Sequence, residues 1–137
     1  MGERLKILIL EDSDTDAAIV QHLLLKEKLQ CEFVVAVNKE TYQAALDQFQ
    51  PDIILSDHSL PQFDSADALL LARQRFPGIP FIMVTGTASE EFAAGIIKLG
   101  ADDYILKDRM ARLPAVIIKT IQRRRSENER QETPVFS

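Results

Sequence analysis

Short apolar runs alternate with stretches of helical periodicity along most of the chain. Runs rich in isoleucine, leucine and valine predict strands, because such side chains suit a buried, pleated surface. These runs predict five strands, at residues 5–10, 32–37, 53–56, 79–84 and 103–106. Between them, and after the last, apolar residues recur at three- or four-residue spacing, which is typical of helices that bury one face. The helical spacings occur at Ala17/Val20/Leu24, Tyr42/Ala45/Leu46, Ala68/Leu71/Ala72, Phe92/Ile96 and Val116/Ile117/Ile121.

The strict alternation of strand and helix predicts the fold class. The first, third and fourth runs are almost wholly apolar, as expected of strands in a parallel sheet that is covered on both faces. Right-handed crossovers between parallel strands place helices on both faces of the sheet. We therefore predict an α/β fold with a doubly wound, five-stranded parallel sheet. Ligands bind such sheets beyond the carboxyl ends of the strands.

Turn residues support these divisions. Gly100 follows the fourth helical segment, where a glycine commonly ends a helix, and Pro114 falls where the first turn of the last helix tolerates it. We expect one domain over residues 5–125. Residues 126–137 are polar and lack a sustained apolar stripe, so we expect a tail, a linker or a truncated helix there.

Composition and charge narrow the function classes. The chain has 137 residues, 46% of them hydrophobic, which is enough to bury the core of one domain. A formal net charge of -5 argues against broad binding to nucleic acid or to an anionic membrane, and favours cationic partners or metal ions. The single cysteine, Cys31, excludes an internal disulfide, and no apolar run is long enough to span a bilayer. We expect a cytoplasmic location.

The residues at the predicted strand ends form an unusual set. Glu11 and Asp12 follow the first strand, and the third, fourth and fifth strands end at Asp57, Thr85 and Lys107. In a doubly wound sheet these ends can be neighbours, so we expect three acids, a hydroxyl and an ammonium in one shallow pocket. Rigid strands position reactive groups more accurately than loops do.

These residue types indicate metal and phosphoryl chemistry. Clustered carboxylates repel one another, so at least one should have a raised pKa, and together they favour a hard cation such as Mg²⁺. Lys107 and Thr85 can neutralise and hydrogen-bond further oxygens. Phosphoryl transfer depends mainly on alignment and charge neutralisation, and a carboxylate can accept the group. Asp57, on the central third strand, is the best-placed acceptor.

Taken together, these motifs resemble those of response-regulator receiver domains of two-component signalling, such as chemotaxis regulators. The resemblance extends over about residues 5–124. It rests on Glu11-Asp12, Asp57 followed by "HSLP", Thr85 before Gly86, "GADDY" at residues 100–104, and Lys107. Together the motifs are highly specific, although each alone would be weak.

The resemblance implies a strand order and a site. The strand order would be the flavodoxin-like 2-1-3-4-5. Asp57 would accept a phosphoryl group, with Lys107 at the phosphoryl oxygens. Mg²⁺ would be bound by Asp12, Asp57 and the backbone carbonyl of Ser59, with Glu11 acting through water.

The resemblance also implies a switch and partners. Thr85 and Tyr104 match the family's switch pair, which changes a protein-binding surface after phosphorylation. The donor would be a phosphohistidine on a sensor histidine kinase or a histidine phosphotransfer protein. A phosphorylation-dependent dimer is compatible with the family, whereas direct contact with nucleic acid or a membrane is not expected. Catalysis would be limited to self-catalysed phosphoacceptance and slow dephosphorylation.

The sequence departs from the family in three places. Many receivers have a proline after the lysine, but here Asp108 follows Lys107. A cis peptide without proline costs roughly 2.5–4 kcal/mol, so we expect a trans bond there. The loop "LPQFDS" lacks a glycine common in the family, and Glu11 replaces the commoner aspartate, which should change the water shell of the metal more than its binding.

Two other functions fit part of the pattern. An aspartyl phosphatase resembling the haloacid dehalogenases would use Asp12 as nucleophile and Asp102-Asp103 as the paired acid. Against this, the pair precedes Lys107 instead of following it, and no segment is long enough for a cap over a substrate. An unphosphorylated interaction domain is the third hypothesis, and it would apply if the pocket did not bind Mg²⁺.

Several charged residues have simpler interpretations. The stretch "EDSDTD" resembles a calcium loop, but Ala17 and Leu23 stand where that loop needs glycine and glutamate. His22 and His58 have no histidine or cysteine at metal-site spacing. The arginines at residues 123–125 are expected to complement the C-terminus of the last helix.

Overall fold

The structure, a computed structural model, describes residues 4–58, 60, 62–86 and 90–132. Strands and helices alternate along these residues, as predicted. The elements are β1 (Leu5–Leu10), α1 (Asp14–Lys26), β2 (Cys31–Ala36), α2 (Lys39–Gln48), β3 (Ile53–Asp57), α3 (Ser65–Arg75), β4 (Phe81–Thr85), α4 (Glu90–Lys98), β5 (Asp103–Leu106), a 3-10 helix (Lys107–Arg112) and α5 (Leu113–Glu132). No helix in the described part of the chain combines the length and the apolar character that crossing a bilayer would require.

The strands form one parallel sheet in the order β2-β1-β3-β4-β5. The predicted fold class and strand order are therefore confirmed. Leu10 pairs with Ser56, Asp57 pairs with Val84, and Thr85 pairs with Leu106. This register aligns the carboxyl ends of the four strands that carry the candidate residues.

Two apolar layers cover the sheet, one on each face. Successive residues of a strand point to opposite faces, so Leu8 and Leu10 enter one layer while Ile7 and Ile9 enter the other. The helical residues that complete the layers include Tyr42, Leu46, Leu69 and Ile96 on the first face, and Val20, Leu24 and Ile117 on the second. Burying one leucine or isoleucine side chain contributes about 1.5–3 kcal/mol, so the two layers hold the strand ends in fixed positions.

Local signals define where the elements begin and end. Asn38 and Asp64 cap α2 and α3 through capping boxes. Gly100 adopts φ +116° after α4, and its N–H donates to the Ile97 carbonyl while that of Ala101 donates to the Ile96 carbonyl. This pair of hydrogen bonds is the Schellman motif, in which glycine is favoured.

Strand β4 begins two residues later than predicted. The Ile79 N–H donates to the carbonyl of Phe76 in a turn, and Pro80 has no N–H to donate to a neighbouring strand. The parallel ladder therefore begins at Phe81.

Asp102 joins α3, β4 and α5 at the amino edge of the sheet. Its carboxylate is 3% exposed, and Oδ2 accepts hydrogen bonds from the Phe81 N–H at 2.8 Å and from Arg73 at 3.3 Å. Oδ1 accepts from Arg123 and Arg124, each at 2.8 Å. One buried acid thus connects two helices to the start of a strand.

The expectation for the arginines at residues 123–125 is wrong. Helix α5 continues to Glu132, so these residues do not lie at its C-terminus. Arg123 and Arg124 are held by Asp102 instead. The polar stretch was expected to be a tail, a linker or a truncated helix, and its residues 126–132 continue α5. The domain limits 5–125 stay a prediction.

Candidate functional site

Three carboxylates meet at the carboxyl edge of the sheet. Asp57 is the last residue of β3, and Glu11 directly follows β1, the neighbouring strand. One carboxylate oxygen from each of Glu11, Asp12 and Asp57 lies within 4.8 Å of the other two. Glu11 and Asp57 are buried, whereas Asp12 is exposed. The sequence prediction of an acidic cluster at this edge is confirmed.

Glu11 is a buried acid whose pKa is shifted by its surroundings. Burial raises the pKa of its carboxyl, and the nearby charge of Asp57 raises it further. The Ser13 N–H, which donates to Glu11 Oε2 at 3.1 Å, and the Lys107 ammonium oppose the rise in pKa. The expected raised pKa is found, although desolvation contributes more than repulsion between like charges.

Lys107 neutralises the cluster from the first position after β5. Its Nζ lies 3.3 Å from Asp57 Oδ1, 3.1 Å from Glu11 Oε1 and 2.7 Å from Asp16 Oδ2. Partial burial alone would lower the pKa of the ammonium, but the hydrogen bonds to Asp16 and Glu11 and the charge of Asp57 outweigh it and raise the pKa. Lys107 therefore stays charged at neutral pH.

Asp16 is a member of the site that sequence reasoning missed. It lies in the first turn of α1, and its N–H donates to Oγ of the N-cap residue Ser13 at 3.2 Å. The spacing of Ser13 and Asp16 matches a capping box, in which the acid would accept from the N-cap N–H. Here Glu11 accepts from that N–H, and the Asp16 carboxylate contacts Lys107 instead.

Thr85 and Tyr104 lie on the same face of adjacent strands. Thr85 is the last residue of β4 and is buried. Met83 pairs with Tyr104, and Met83 and Thr85 point to the same face because residues two apart in a strand do so. The half-buried Tyr104 packs on that layer and lines a groove beside Ile97 of α4.

His58 follows Asp57 and contacts two helices. Its Nδ1 lies 3.1 Å from Ser65 Oγ in α3, and its ring centroid lies 4.0 Å from that of Phe92 in α4. Neither His58 nor His22 belongs to a group of metal-compatible side chains within the described residues. The interpretation of both histidines as non-ligands stays a prediction.

Gln62, in the segment after Asp57, has an unusual backbone conformation. Ser59, the predicted carbonyl ligand, lies outside the described residues. Gln62 adopts φ +63°, a left-handed conformation in which glycine is favoured and other residues cost about 1–2 kcal/mol. At the other side of the site, the Lys107-Asp108 peptide bond is trans, as expected.

The donor set suits a hard divalent cation. Magnesium prefers carboxylate oxygens at about 2.1 Å, which places oxygens of one octahedron about 3–4 Å apart. The three acidic oxygens lie within 4.8 Å of one another, and the exposed Asp12 has room to turn toward the other two. The cluster can therefore hold Mg²⁺ while leaving positions for water and phosphoryl oxygens.

Comparison with known proteins identifies the family of this fold and site. The family model of the response regulator receiver domain matches residues 7–118. The chain belongs to this family. Receiver domains are the phosphoacceptor modules of two-component response regulators, so the predicted family and class of function are confirmed.

Curated relatives and solved structures agree with the match to receiver domains. The chain is 33% identical over 123 residues to the sensory transduction protein RegX3 of Mycobacterium tuberculosis, covering 90% of this chain and 53% of that protein. It is 30% identical over 120 residues to the alkaline phosphatase synthesis transcriptional regulatory protein PhoP of Bacillus subtilis, covering 87% of this chain and 49% of that protein. The chain thus spans about half the length of the curated relatives it matches. A CheY-like receiver domain protein from Methanospirillum hungatei superposes with a TM-score of 0.80 at 28% identity, covering 91% of this chain and 99% of that one.

The haloacid-dehalogenase-like alternative is not supported. It needs the acids at Asp102-Asp103 near Asp12, at the carboxyl edge of the sheet. The Asp102 carboxylate instead accepts from the N–H of Phe81, the first residue of β4, at the opposite edge. The match to receiver domains argues against the same alternative.

Proposed function

We propose that Asp57 is the phosphoacceptor of a signalling module that uses Mg²⁺. The observation that carries the proposal is the distance of 3.3 Å between Lys107 Nζ and Asp57 Oδ1, beside the cluster with Glu11 and Asp12. A phosphoacceptor needs a nucleophilic carboxylate, a cation for the phosphoryl oxygens and metal ligands in one place. The burial of Asp57 at the end of a rigid strand supports its role as the nucleophile.

The metal ligands follow from the resemblance to receiver domains, and the bonds that Glu11 already makes support its indirect role. Asp12 and Asp57 bind Mg²⁺ directly, together with the backbone carbonyl of Ser59. Glu11 acts through water, because its two oxygens already accept from the Ser13 N–H and from Lys107. When bound, Mg²⁺ neutralises charge on the phosphoryl oxygens.

Transfer proceeds by in-line displacement at phosphorus. A carboxylate oxygen of Asp57 attacks the phosphorus of a phosphohistidine, and the new phosphorus–oxygen bond forms as the phosphorus–nitrogen bond breaks. The electron pair of the broken bond leaves with the imidazole nitrogen of the donor. Lys107 donates to one phosphoryl oxygen, and the Thr85 hydroxyl donates to another. Slow attack by water later releases inorganic phosphate and restores the carboxylate, so the module catalyses its own loading and unloading.

Phosphorylation changes a protein-binding surface through Thr85 and Tyr104. Movement of the Thr85 hydroxyl toward the phosphoryl group vacates space into which the Tyr104 ring turns. The groove beside Tyr104, lined by Ala93, Ala94 and Ile97 of α4, then changes shape. Such a shift requires contacts that differ between the two states.

The partners follow from the chemistry of the site. The donor is a sensor histidine kinase or a histidine phosphotransfer protein. The altered surface binds a protein partner or a second copy of the chain as a phosphorylation-dependent dimer. A net charge of -5 disfavours direct binding to nucleic acid.

Acetyl phosphate with Mg²⁺ tests the assignment. The wild type should gain one acid-labile phosphoryl group, and Asp57→Asn should gain none, because the amide removes the nucleophile at nearly constant volume. Asp12→Asn should still label at Asp57, but more slowly, because it loses a metal ligand. Intact-mass measurement and circular dichroism report the label and the fold.

Two results would contradict the proposal. Stoichiometric label on folded Asp57→Asn would remove Asp57 as the acceptor. Rapid, continuous release of phosphate that depends on Asp12 and not on Asp57 would indicate a phosphatase instead.

A further inference from the structure

Lys107 is shared among three carboxylates in the described part of the chain, and the proposed acceptor is the most distant of them. Its Nζ lies 2.7 Å from Asp16, 3.1 Å from Glu11 and 3.3 Å from Asp57. A short charge-assisted bond is stronger than a longer one of the same type. In the unphosphorylated chain the lysine is therefore bound most closely by Asp16, a residue of α1 that lies outside the proposed metal cluster.

The local structure of α1 directs the Asp16 carboxylate toward Lys107. The Asp16 N–H is held by Ser13 Oγ, so the backbone of this residue is fixed in the first turn of the helix. The Ser13 N–H donates to Glu11, which leaves it unavailable as the capping-box partner of Asp16. The Asp16 side chain, 38% exposed, points instead across the site to the ammonium.

A small hollow lies next to the ion pair of Lys107 and Asp16. It has a volume of about 60 Å³ and is lined by Asp16, Lys107, Val84 and Met110, among others. Lys107 itself is 27% exposed. Because the lysine side chain is long and partly exposed, its ammonium can exchange one carboxylate partner for another.

We propose that Asp16 is a positioning residue that holds Lys107 back from the phosphoryl group and thereby lowers the affinity of Asp57 for it. The inference rests on the proposed function. When the phosphorus–oxygen bond to Asp57 forms and the bond to the donor breaks, the phosphoryl oxygens bring negative charge next to Lys107. The ammonium must then weaken its bond to Asp16 to donate to a phosphoryl oxygen. Asp16 therefore competes with the phosphoryl oxygens for the ammonium. In a variant without the Asp16 charge, Glu11 and Asp57 still hold the lysine at the site.

Beryllofluoride, a phosphoryl analogue, tests the competition in the full chain with Mg²⁺. The chain contains no tryptophan, so fluorine NMR and calorimetry are suitable measurements. Asp16→Asn should bind beryllofluoride roughly two- to fivefold more tightly than the wild type, the range for a partly exposed ion pair. It should also label faster with acetyl phosphate, while its Kd for Mg²⁺ stays within about twofold, because Asp16 lies outside the metal cluster.

Matched variants separate competition from general electrostatics. Asp14→Asn removes an equal charge from an exposed position in the same helical turn and should leave both affinities unchanged. Asp16→Glu keeps the carboxylate and should restore wild-type affinity. Thermal melting of the two asparagine variants reports any loss of the helix-dipole interaction, which both should share.

The outcomes distinguish this inference from the proposed function. Tighter analogue binding in Asp16→Asn alone supports competition by Asp16. The inference is overturned if the affinity of Asp16→Asn for beryllofluoride equals or falls below that of Asp14→Asn. If the wild type nevertheless labels at Asp57, the proposed function is left intact. A wild type that neither binds beryllofluoride nor labels at Asp57 overturns both.

Discussion

Lys107 and Asp57 lie on strands separated by β4, yet Lys107 Nζ is 3.3 Å from Asp57 Oδ1. Lys107 directly follows β5, so its long side chain reaches across the end of the intervening strand. Thr85, where β4 ends, is buried and points to the same face of the sheet as Met83. The lysine therefore crosses the carboxyl edge of the sheet, and this crossing places its ammonium beside Asp57.

We predict that Lys107→Ala reduces labelling by acetyl phosphate at least about tenfold without weakening Mg²⁺ binding. The variant loses the cation that we propose contacts the phosphoryl oxygens, and such electrostatic stabilisation commonly lowers the barrier to transfer. Removal of a positive charge from the acidic cluster should leave Mg²⁺ affinity equal or higher. Lys98→Ala, at an exposed position in the last turn of α4, is the control. Equal labelling rates in the two variants would contradict the role of Lys107.

The melting temperature of the wild type should rise with the concentration of Mg²⁺. A ligand that binds only the folded state stabilises it by RT ln(1 + [L]/Kd), which is about 2.7 kcal/mol at 100 times Kd. Asp12→Ala should lose this response, and without metal it should melt at or slightly above the wild-type temperature, because one of three like charges is gone. Asp14→Ala, an exposed acid outside the cluster, should keep the full response. An equal Mg²⁺ shift in the Asp12 variant would exclude Asp12 as a ligand.

The stability of the metal-free protein should change with pH because of Glu11. Its folded pKa is raised above 4.5, mainly by burial, so the folded state binds the proton more tightly than the unfolded state does. The stabilising effect of the protonated form is fully present below pH 4.5 and is lost as pH rises through the folded pKa. With a chelator present, Glu11→Gln should therefore melt higher than the wild type at pH 7, and the difference should shrink toward pH 4. A difference that is constant across this pH range would contradict the raised pKa.

Thr85→Ala should separate phosphorylation from the surface change. Asp57, Lys107 and the metal cluster remain in this variant, so labelling at Asp57 should persist. The Tyr104 ring should no longer change its environment on addition of beryllofluoride, because the proposed coupling begins at the Thr85 hydroxyl. Aromatic NMR signals of Tyr104, compared with those of Tyr42 in the core, provide the measurement. A wild-type Tyr104 signal that does not respond to beryllofluoride would remove the proposed switch.

Asp102→Asn should destabilise the fold by about 2–3 kcal/mol without altering the phosphoryl site. Breaking a buried ion pair at one partner costs about 3–5 kcal/mol, and the partial exposure of Arg73, Arg123 and Arg124 reduces that cost. Asp103→Asn is the matched control, since the Asp103 carboxylate accepts a local hydrogen bond from the Tyr104 N–H. Denaturant unfolding measures the free energy of unfolding of both variants. Labelling by acetyl phosphate should be unchanged at denaturant concentrations below the unfolding transition. Equal stability of the two variants would contradict the structural role of Asp102.

Local patterns were sufficient to predict the elements and the three acids. Strand and helix periodicities are properties of neighbouring residues, so the runs ending at Glu11 and Asp57 could be recognised without coordinates. Parallel pairing then brings their ends to one edge, because consecutive strands of a doubly wound sheet share a direction. The Schellman turn at Gly100 was predictable for the same reason, since it depends on residues within one helix end. The start of β4 was missed because the missing N–H of Pro80 outweighed the apolar pattern of the run.

Only the tertiary structure decided which partner each long charged side chain selects. Lys107 and Asp16 are 91 residues apart, and their pairing depends on how α1 packs beside the end of β5, which no local pattern encodes. Likewise, Arg124 was predicted to face a helix end but contacts Asp102, because α5 continues past it and lies over the amino edge of the sheet. A flexible charged side chain pairs with whichever opposite charge the packing of distant elements brings within about 4 Å. That distance is set by the two apolar layers of the fold, and not by the residues next to the charge in sequence.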